Sequence, residues 1–258
     1  MITAYLRHRW QAGNAHGLHS PFVYALYTDV ICARSDSAAF GPIEQLRQQL
    51  RQSNEIIPVT DLGAGSRLTT SNSRTIRQIA RSAQKPVRYA QLLHRLVRRF
   101  QPRTVLELGT SLGLTTAYLA HAAAETGSTV VSFEGCPNIA AKARQHLDQL
   151  GYAGTRLVVG DLNETLSREV DQLPPLDVVF FDANHRYLPT IEYFSRCLTK
   201  AHNDSLFIFD DIHWSDEMEQ AWAAIRAHPA VQVTIDLFGV GLVFFRREQP
   251  KQHFVLRF

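Results

Sequence analysis

The stretch Val105-Leu106-Glu107-Leu108-Gly109-Thr110-Ser111-Leu112-Gly113 decides how the rest of the chain reads. Val105, Leu106 and Leu108 supply the short apolar run of a parallel strand covered on both faces. Gly109 and Gly113 then stand four apart, where a backbone can turn sharply and let a ligand approach with no Cβ in the way. Leu114 to Ala124, rich in Ala and Leu, continues as a helix whose first amides face whatever lies above the strand. Glu107 is an acid inside the apolar run, and a buried carboxylate needs a donor or a cation beside it. The spacing is not the dinucleotide fingerprint G-x-G-x-x-G, because here it is G-x-x-x-G with an acid two residues ahead.

From Arg103 onward strand and helix patterns alternate, which predicts an α/β fold with a doubly wound, mostly parallel sheet. Strands are expected near 104–108, 129–134, 155–159, 177–182 and 205–210, with helices near 113–125, 137–150, 162–172, 187–199 and 215–227. Val231–Leu237 and Val240–Phe245, separated by Phe238-Gly239, read as an antiparallel hairpin that completes a seven-stranded sheet. His253 to Phe258 reads either as an added edge strand or as a contact between the copies of a homodimer.

In an open parallel sheet, ligands bind beyond the carboxyl ends of the strands. The second of these strands ends in Glu134, placed to accept from both hydroxyls of a ribose, and the third in Gly160-Asp161, where an acid can accept from an adenine amino group. The fourth ends in Asp182-Ala183-Asn184-His185 and the fifth in Asp210-Asp211. Three carboxylates at neighbouring strand ends repel unless a cation is shared among them. Oxygen ligation favours Mg2+, or Mn2+ or Ca2+, over zinc.

Glu107-x-Gly109-x-x-x-Gly113, with Glu134 and Asp161 ending the next two strands, resembles the class I S-adenosylmethionine-dependent methyltransferases over residues 105 to 245. The resemblance implies a Rossmann-like methyltransferase fold and S-adenosyl-L-methionine as cofactor. Gly109 and Gly113 would cradle its methionine end, Glu134 the ribose and Asp161 the adenine, with Glu107, Thr110, Ser111, Gly135, Gly160 and Asp182 completing the cofactor-binding set. The later strand ends are similar to those of the catechol and caffeoyl-CoA O-methyltransferases, whose metal is held by an Asp after strand four and an Asp-Asn pair after strand five. By position the metal ligands would be Asp182, Asp210 and Asp211. Two residues depart from that group: Asp211 stands where it has Asn, and His185 where it has the lysine that takes the substrate proton. A histidine, with an ordinary pKa near 6.5, can do the same work near neutral pH, which makes His185 and Asp182 the candidate catalytic pair. A plainer role for Asp210 would be to cap the following helix or to pair with Arg186, and His213 and Trp214 fit either a pocket wall or packing.

The 258 residues are long enough for one α/β domain with an accessory segment. Residues 1–85 lack the strand–helix alternation and are expected to form an N-terminal helical cap, leaving 86–258 as the methyltransferase domain. Ser20-Pro21 should open a helix carrying Phe22, Val23, Leu26, Tyr27 and Val30 on one face, and Ile43–Arg51 a second. Asp61-Leu62-Gly63-Ala64-Gly65-Ser66 imitates the glycine turn, yet Pro58 interrupts the strand before it and a basic helix, Ser73 to Ala83, follows, so it reads as a linker turn.

Ten Lys or Arg residues and no acid lie between Arg67 and Arg103. With only Tyr89 as an interleaved aromatic, a solvated helix face explains the run better than a nucleic-acid surface. A net charge of +3 does not imply a polyanionic partner, the three scattered cysteines suit a reducing cytoplasm, and no apolar run reaches the roughly 18 residues of a membrane span. The expected activity is metal-assisted O-methylation of a small molecule. The alternatives are a metal-independent N- or RNA methyltransferase and a non-catalytic cofactor-binding protein.

Overall fold

The structure is a computed structural model that describes residues 2–34, 37–60 and 72–258. The Asp61–Ser66 glycine turn and Arg67 lie outside the described residues. In chain order the main elements are α1 (Ile2–Gln11), α2 (Pro21–Leu26), α3 (Gly41–Gln52), β1 (Ile56–Pro58), β2 (Ser73–Thr75), α4 (Ile76–Ala83) and α5 (Val87–Phe100). Then come β3 (Thr104–Leu108), α6 (Leu114–Thr126), β4 (Thr129–Glu134), α7 (Pro137–Gln149), β5 (Arg156–Val159) and α8 (Leu162–Gln172). The remainder is β6 (Leu176–Phe181), α9 (Tyr187–Leu198), β7 (Ala201–Asp210), α10 (Asp216–Ala227), β8 (Val233–Asp236), β9 (Val240–Phe244) and β10 (Gln252–Val255). Eight strands form one mostly parallel sheet in the order β10-β8-β9-β7-β6-β3-β4-β5, one more than expected, because β10 adds itself at the edge. The chain packs as two units, residues 35–171 and residues 1–34 with 172–258. No helix among the described residues is long and apolar enough to cross a membrane.

In the unit of residues 35–171, β3, β4 and β5 run parallel, with Glu107 opposite Ser132 and Glu134 opposite Val159. Every residue of β3 is buried, as its apolar run requires of a strand covered on both faces. Leu92, Leu93, Leu96 and Val97 form the buried stripe of α5, and Tyr89 is buried with them while the Arg88 guanidinium lies over its ring. Two expectations fail locally. Ile56–Pro58 does form a strand, pairing antiparallel with Ser73–Thr75, because a two-stranded ribbon has edges on which a proline removes no needed donor. The helix expected from Ser73 starts only at Ile76, where Thr75 caps it and Gln78 bonds back to the Thr75 amide.

In the other unit β6 and β7 are parallel, β7–β9 and β9–β8 antiparallel, and β10 parallel to β8. Its core is aromatic: the Phe181 and Phe209 rings stack 4.3 Å apart. Ser20 caps α2 and Pro21 occupies its first turn, after which Tyr27–Ile31 form a single π-helical turn. The last residues hold this segment: Gly13 bridges Leu256, and the Tyr27 hydroxyl donates to the Arg257 carbonyl at 2.9 Å.

Candidate active site

The turn after β3 is built from backbone conformations that favour glycine. Gly109 has φ 106° and Gly113 φ 81°. A Cβ on Gly113 would also lie 3.3 Å from the Ala143 Cβ, so both torsion and space demand glycine there. Ser111, between them, is itself left-handed at φ 49°. The amides of Gly109 and Thr110 donate to the Phe133 carbonyl at 3.0 and 2.9 Å, tying the turn to the end of β4. From behind, the His146 ring on α7 lies 2.9 Å by Nδ1 from the Leu112 carbonyl, and burial pushes its pKa down, so it is the neutral ring that supports the turn.

Glu107 is fully buried and its Oε2 accepts from the hydroxyls of Thr116 and Ser132, each at 2.6 Å. The donors that its burial requires are thus hydroxyls of the chain itself, and Thr110 Oγ1 joins them at 2.5 Å from Ser132 Oγ. Glu134, at the end of β4, accepts from the Ser111 amide at 2.8 Å through Oε2 and from the Cys136 amide at 2.9 Å through Oε1. Burial raises its pKa, and the amides of Cys136, Ser111 and Gly135 oppose that by bonding to the charged form. A carboxylate offers about four acceptor directions, so these amides still leave acceptor capacity for a hydroxyl. Beyond β5, Gly160 has φ 136° and a Cβ there would meet Thr165 at 3.1 Å. Asp161 accepts from the Asn163 amide at 2.9 Å, so it serves the start of α8 with one oxygen.

At the ends of β6 and β7 side chains, not amides, come together. Asp182, His185 and Asp210 each offer a ligand atom, and the three atoms lie within 4.8 Å of one another. His185 Nε2 is 3.5 Å from Asp182 Oδ1, and Asp210 is only 1% exposed. Asn184, at φ 51°, makes the bend that returns His185 towards Asp182. Asp211, expected as the third ligand, is not in this group. Its left-handed backbone, φ 51°, sends its amide to the Gly239 carbonyl at 2.8 Å, and His185 stands in the third place. Asp210 does not cap α10; Ser215 does, accepting from the Met218 amide. Two carboxylates this close repel inside a buried rim and fit a shared divalent cation, with the His185 imidazole within reach of the same space.

His213 is not part of that group. Its ring stacks on Phe238 at 5.3 Å, Nε2 is 2.8 Å from Asp236 Oδ2, and Nδ1 is 3.1 Å from Glu219. His8 of α1 approaches the other Asp236 oxygen at 3.1 Å. Burial alone would lower the His213 pKa, but the two carboxylates outweigh it and raise it, while the histidines hold the Asp236 carboxyl well below the usual range against its own burial. Nothing in sequence spacing announced this network, because His8 and Asp236 are 228 residues apart. Trp214 stays 41% exposed.

Residues 106–212 match a family described as a methyltransferase domain. A catechol O-methyltransferase of Mycobacterium tuberculosis is 31% identical over 153 residues, 59% of this chain and 66% of that protein. One of Niastella koreensis is 29% identical over 127 residues, 48% of this chain and 55% of that protein. The chain thus spans between about half and two thirds of the length of the curated relatives it matches. Among solved structures, a Podospora anserina methyltransferase with S-adenosylhomocysteine bound superposes with a TM-score of 0.61 at 15% identity, covering 80% of this chain and 88% of that one. Residues 106–212 are thus similar to a methyltransferase domain, on a fold shared with the solved methyltransferase structure.

Proposed function

We propose that this protein transfers the methyl group of S-adenosylmethionine to a hydroxyl oxygen of a small molecule, with a divalent cation at the acceptor. The observation that carries the reading is the convergence of Asp182, His185 and Asp210 at two strand ends, in a chain whose residues 106–212 match a methyltransferase domain. The relatives named catechol O-methyltransferase support the acceptor class. The three cysteines are free thiols, which fits a cytoplasmic home.

S-Adenosylmethionine, when bound, supplies an electrophilic methyl group on a positively charged sulfur. Gly109 and Gly113 would give its methionine end room, with Glu107, Thr110 and Ser111 shaping that turn. Glu134 would take the ribose hydroxyls on its remaining acceptor directions, beside Gly135. Asp161 would accept from the adenine amino group, with Gly160 keeping the backbone low beneath the base. A divalent cation held by Asp182 and Asp210 supplies positive charge that lowers the pKa of a neighbouring hydroxyl. His185 would take the acceptor proton at Nε2, which lies 3.5 Å from Asp182 Oδ1. A dry pocket around these residues would favour the transfer, because opposite charges would be neutralised in it. Residues 1–34 pack with 172–258, the unit bearing this cluster, and are the part of the N-terminal segment we assign to shaping the acceptor pocket.

The test is methyl transfer to a catechol with and without Mg2+, by the wild type and by His185→Ala. Mg2+-dependent methylation, with turnover about a hundredfold lower in the variant and the cofactor Kd unchanged, is the expected result. Full turnover by the variant would remove His185 from the reaction. Cation affinity lost along with His185 would make it a ligand and not the base.

A further inference from the structure

α5 and α6 pack against each other, and two histidines and a glutamate meet between them. His94 comes from α5; His121 and Glu125, one turn apart on α6, share a face. His94 Nε2 stands 3.6 Å and His121 Nε2 3.5 Å from the same atom, Glu125 Oε1, and all three ligand atoms lie within 4.8 Å of one another. Two ligands at about 2.1 Å from a tetrahedral ion stand about 3.4 Å apart, so the two separations to Glu125 are nearly those of a coordinated ion, and the third is no longer than 4.8 Å.

His94 supplies a second, independent observation. It is only 4% exposed, and neither ring nitrogen has a hydrogen-bond partner. A buried imidazole left in that state is costly, and an ion at Nε2 relieves it. Burial pushes its pKa down to about 4, which keeps the ring neutral and its lone pair available near neutral pH. The other two ligands are aimed from outside. The Tyr152 hydroxyl lies 2.7 Å from His121 Nδ1, and an Nδ1–H donated to that oxygen would leave the lone pair on Nε2. Arg98 Nε holds Glu125 Oε2 at 2.6 Å, which turns Oε1 to the histidines. Phe40 packs edge-on against the His94 ring at 4.9 Å. The Glu125 side chain is 39% exposed, so an ion has a route in.

We propose that His94 Nε2, His121 Nε2 and Glu125 Oε1 bind one zinc-class divalent ion, with the fourth position left to water or an outside donor. Two imidazoles and one carboxylate select Zn2+ over Mg2+, which prefers oxygen alone. The ion would staple α5 to the C-terminal half of α6, the helix that begins at the glycine turn, and the proposal does not depend on methyl transfer.

Calorimetry on the full chelator-stripped chain, titrated with Zn2+ alone in saturating Mg2+, reads the site directly. One Zn2+ per chain is expected, with a rise in Tm and, when Co2+ replaces zinc, a visible d–d absorption of a nitrogen- and oxygen-ligated ion. Glu125→Gln and His121→Gln should each weaken Zn2+ binding at least about tenfold. The Asp182→Asn/Asp210→Asn double variant should keep it. Because Glu125 lies at the surface, its variant tests the site without disturbing the core. Failure of the wild type to bind Zn2+ overturns the proposal, and so does binding that Glu125→Gln and His121→Gln retain; the cluster is then a polar contact between helices.

Discussion

At the ends of β3 and β4 the groups that face a ligand are set by backbone. Gly109 and Gly113 hold torsions that only glycine takes easily, and Glu134 is already fixed by two amides. At the ends of β6 and β7 they are side chains, with Asp182, His185 and Asp210 drawn within 4.8 Å. In the first region Glu107, Glu134 and Asp161 each accept from the chain itself. In the second, two acids share one small space with a histidine, an arrangement that gains most from a cation. The lesson is that recognition of a constant nucleoside can be written into the main chain, whereas the chemistry on a variable acceptor is left to replaceable side chains.

The sharpest way to break this comparison is to remove charge from the second region only. Asp182→Asn with Asp210→Asn should lower Mg2+-dependent turnover by about a thousandfold, the several kcal/mol a cation contributes, with S-adenosylmethionine affinity retained in calorimetry. Loss of cofactor affinity instead would mean that the two regions do not divide the work. Removing charge from the first should do the reverse. Glu134→Ala should weaken the cofactor about 10- to 100-fold, the worth of hydrogen bonds to a charged group, and leave Mg2+ affinity alone.

The smallest effect is one of pH, and its sign differs between the regions. His213 has a folded pKa raised above its unfolded value, so its stabilisation is full below about pH 6.5 and is lost as pH rises through the folded pKa. Asp236, held low, contributes above its unfolded pKa and loses that only in strong acid. His146 behind the glycine turn is depressed, so its contribution is full above about pH 6.5 and is lost as pH falls through the folded pKa. Amide exchange followed from about pH 5 to pH 8 should show α7 and the glycine turn loosening towards acid, and the β8–β9 hairpin loosening towards base. His213→Gln should erase the second trend; if it persists, the histidine is not its source.

The seven strands read from sequence reappear within a few residues of their expected ends because buried parallel strands are nearly continuous apolar runs, as in Val178–Phe181 and Leu206–Phe209. An acid ending such a run is conspicuous, which is why Asp182 and Asp210 could be named from order alone. What order does not carry is direction at a single residue. Asp210 and Asp211 are adjacent, and the left-handed turn at Asp211 that separates their roles leaves no trace in composition. The β1–β2 ribbon is three residues wide with a proline in it, too short for any period. His94 hid for another reason: it sits among Leu92, Leu93, Leu96 and Val97, where one polar residue looks like an interruption of a core stripe.

The division into units has a consequence in time. Residues 35–171 are continuous in the chain, so during synthesis they can close on themselves as soon as they emerge. The first 34 residues cannot: their partners, Asp236 for His8 and Arg257 for Tyr27, arrive more than two hundred residues later. Residues 2–34 therefore wait during synthesis for Asp236 and Arg257, and a product that stops short of them would leave this segment without those partners and open to proteases.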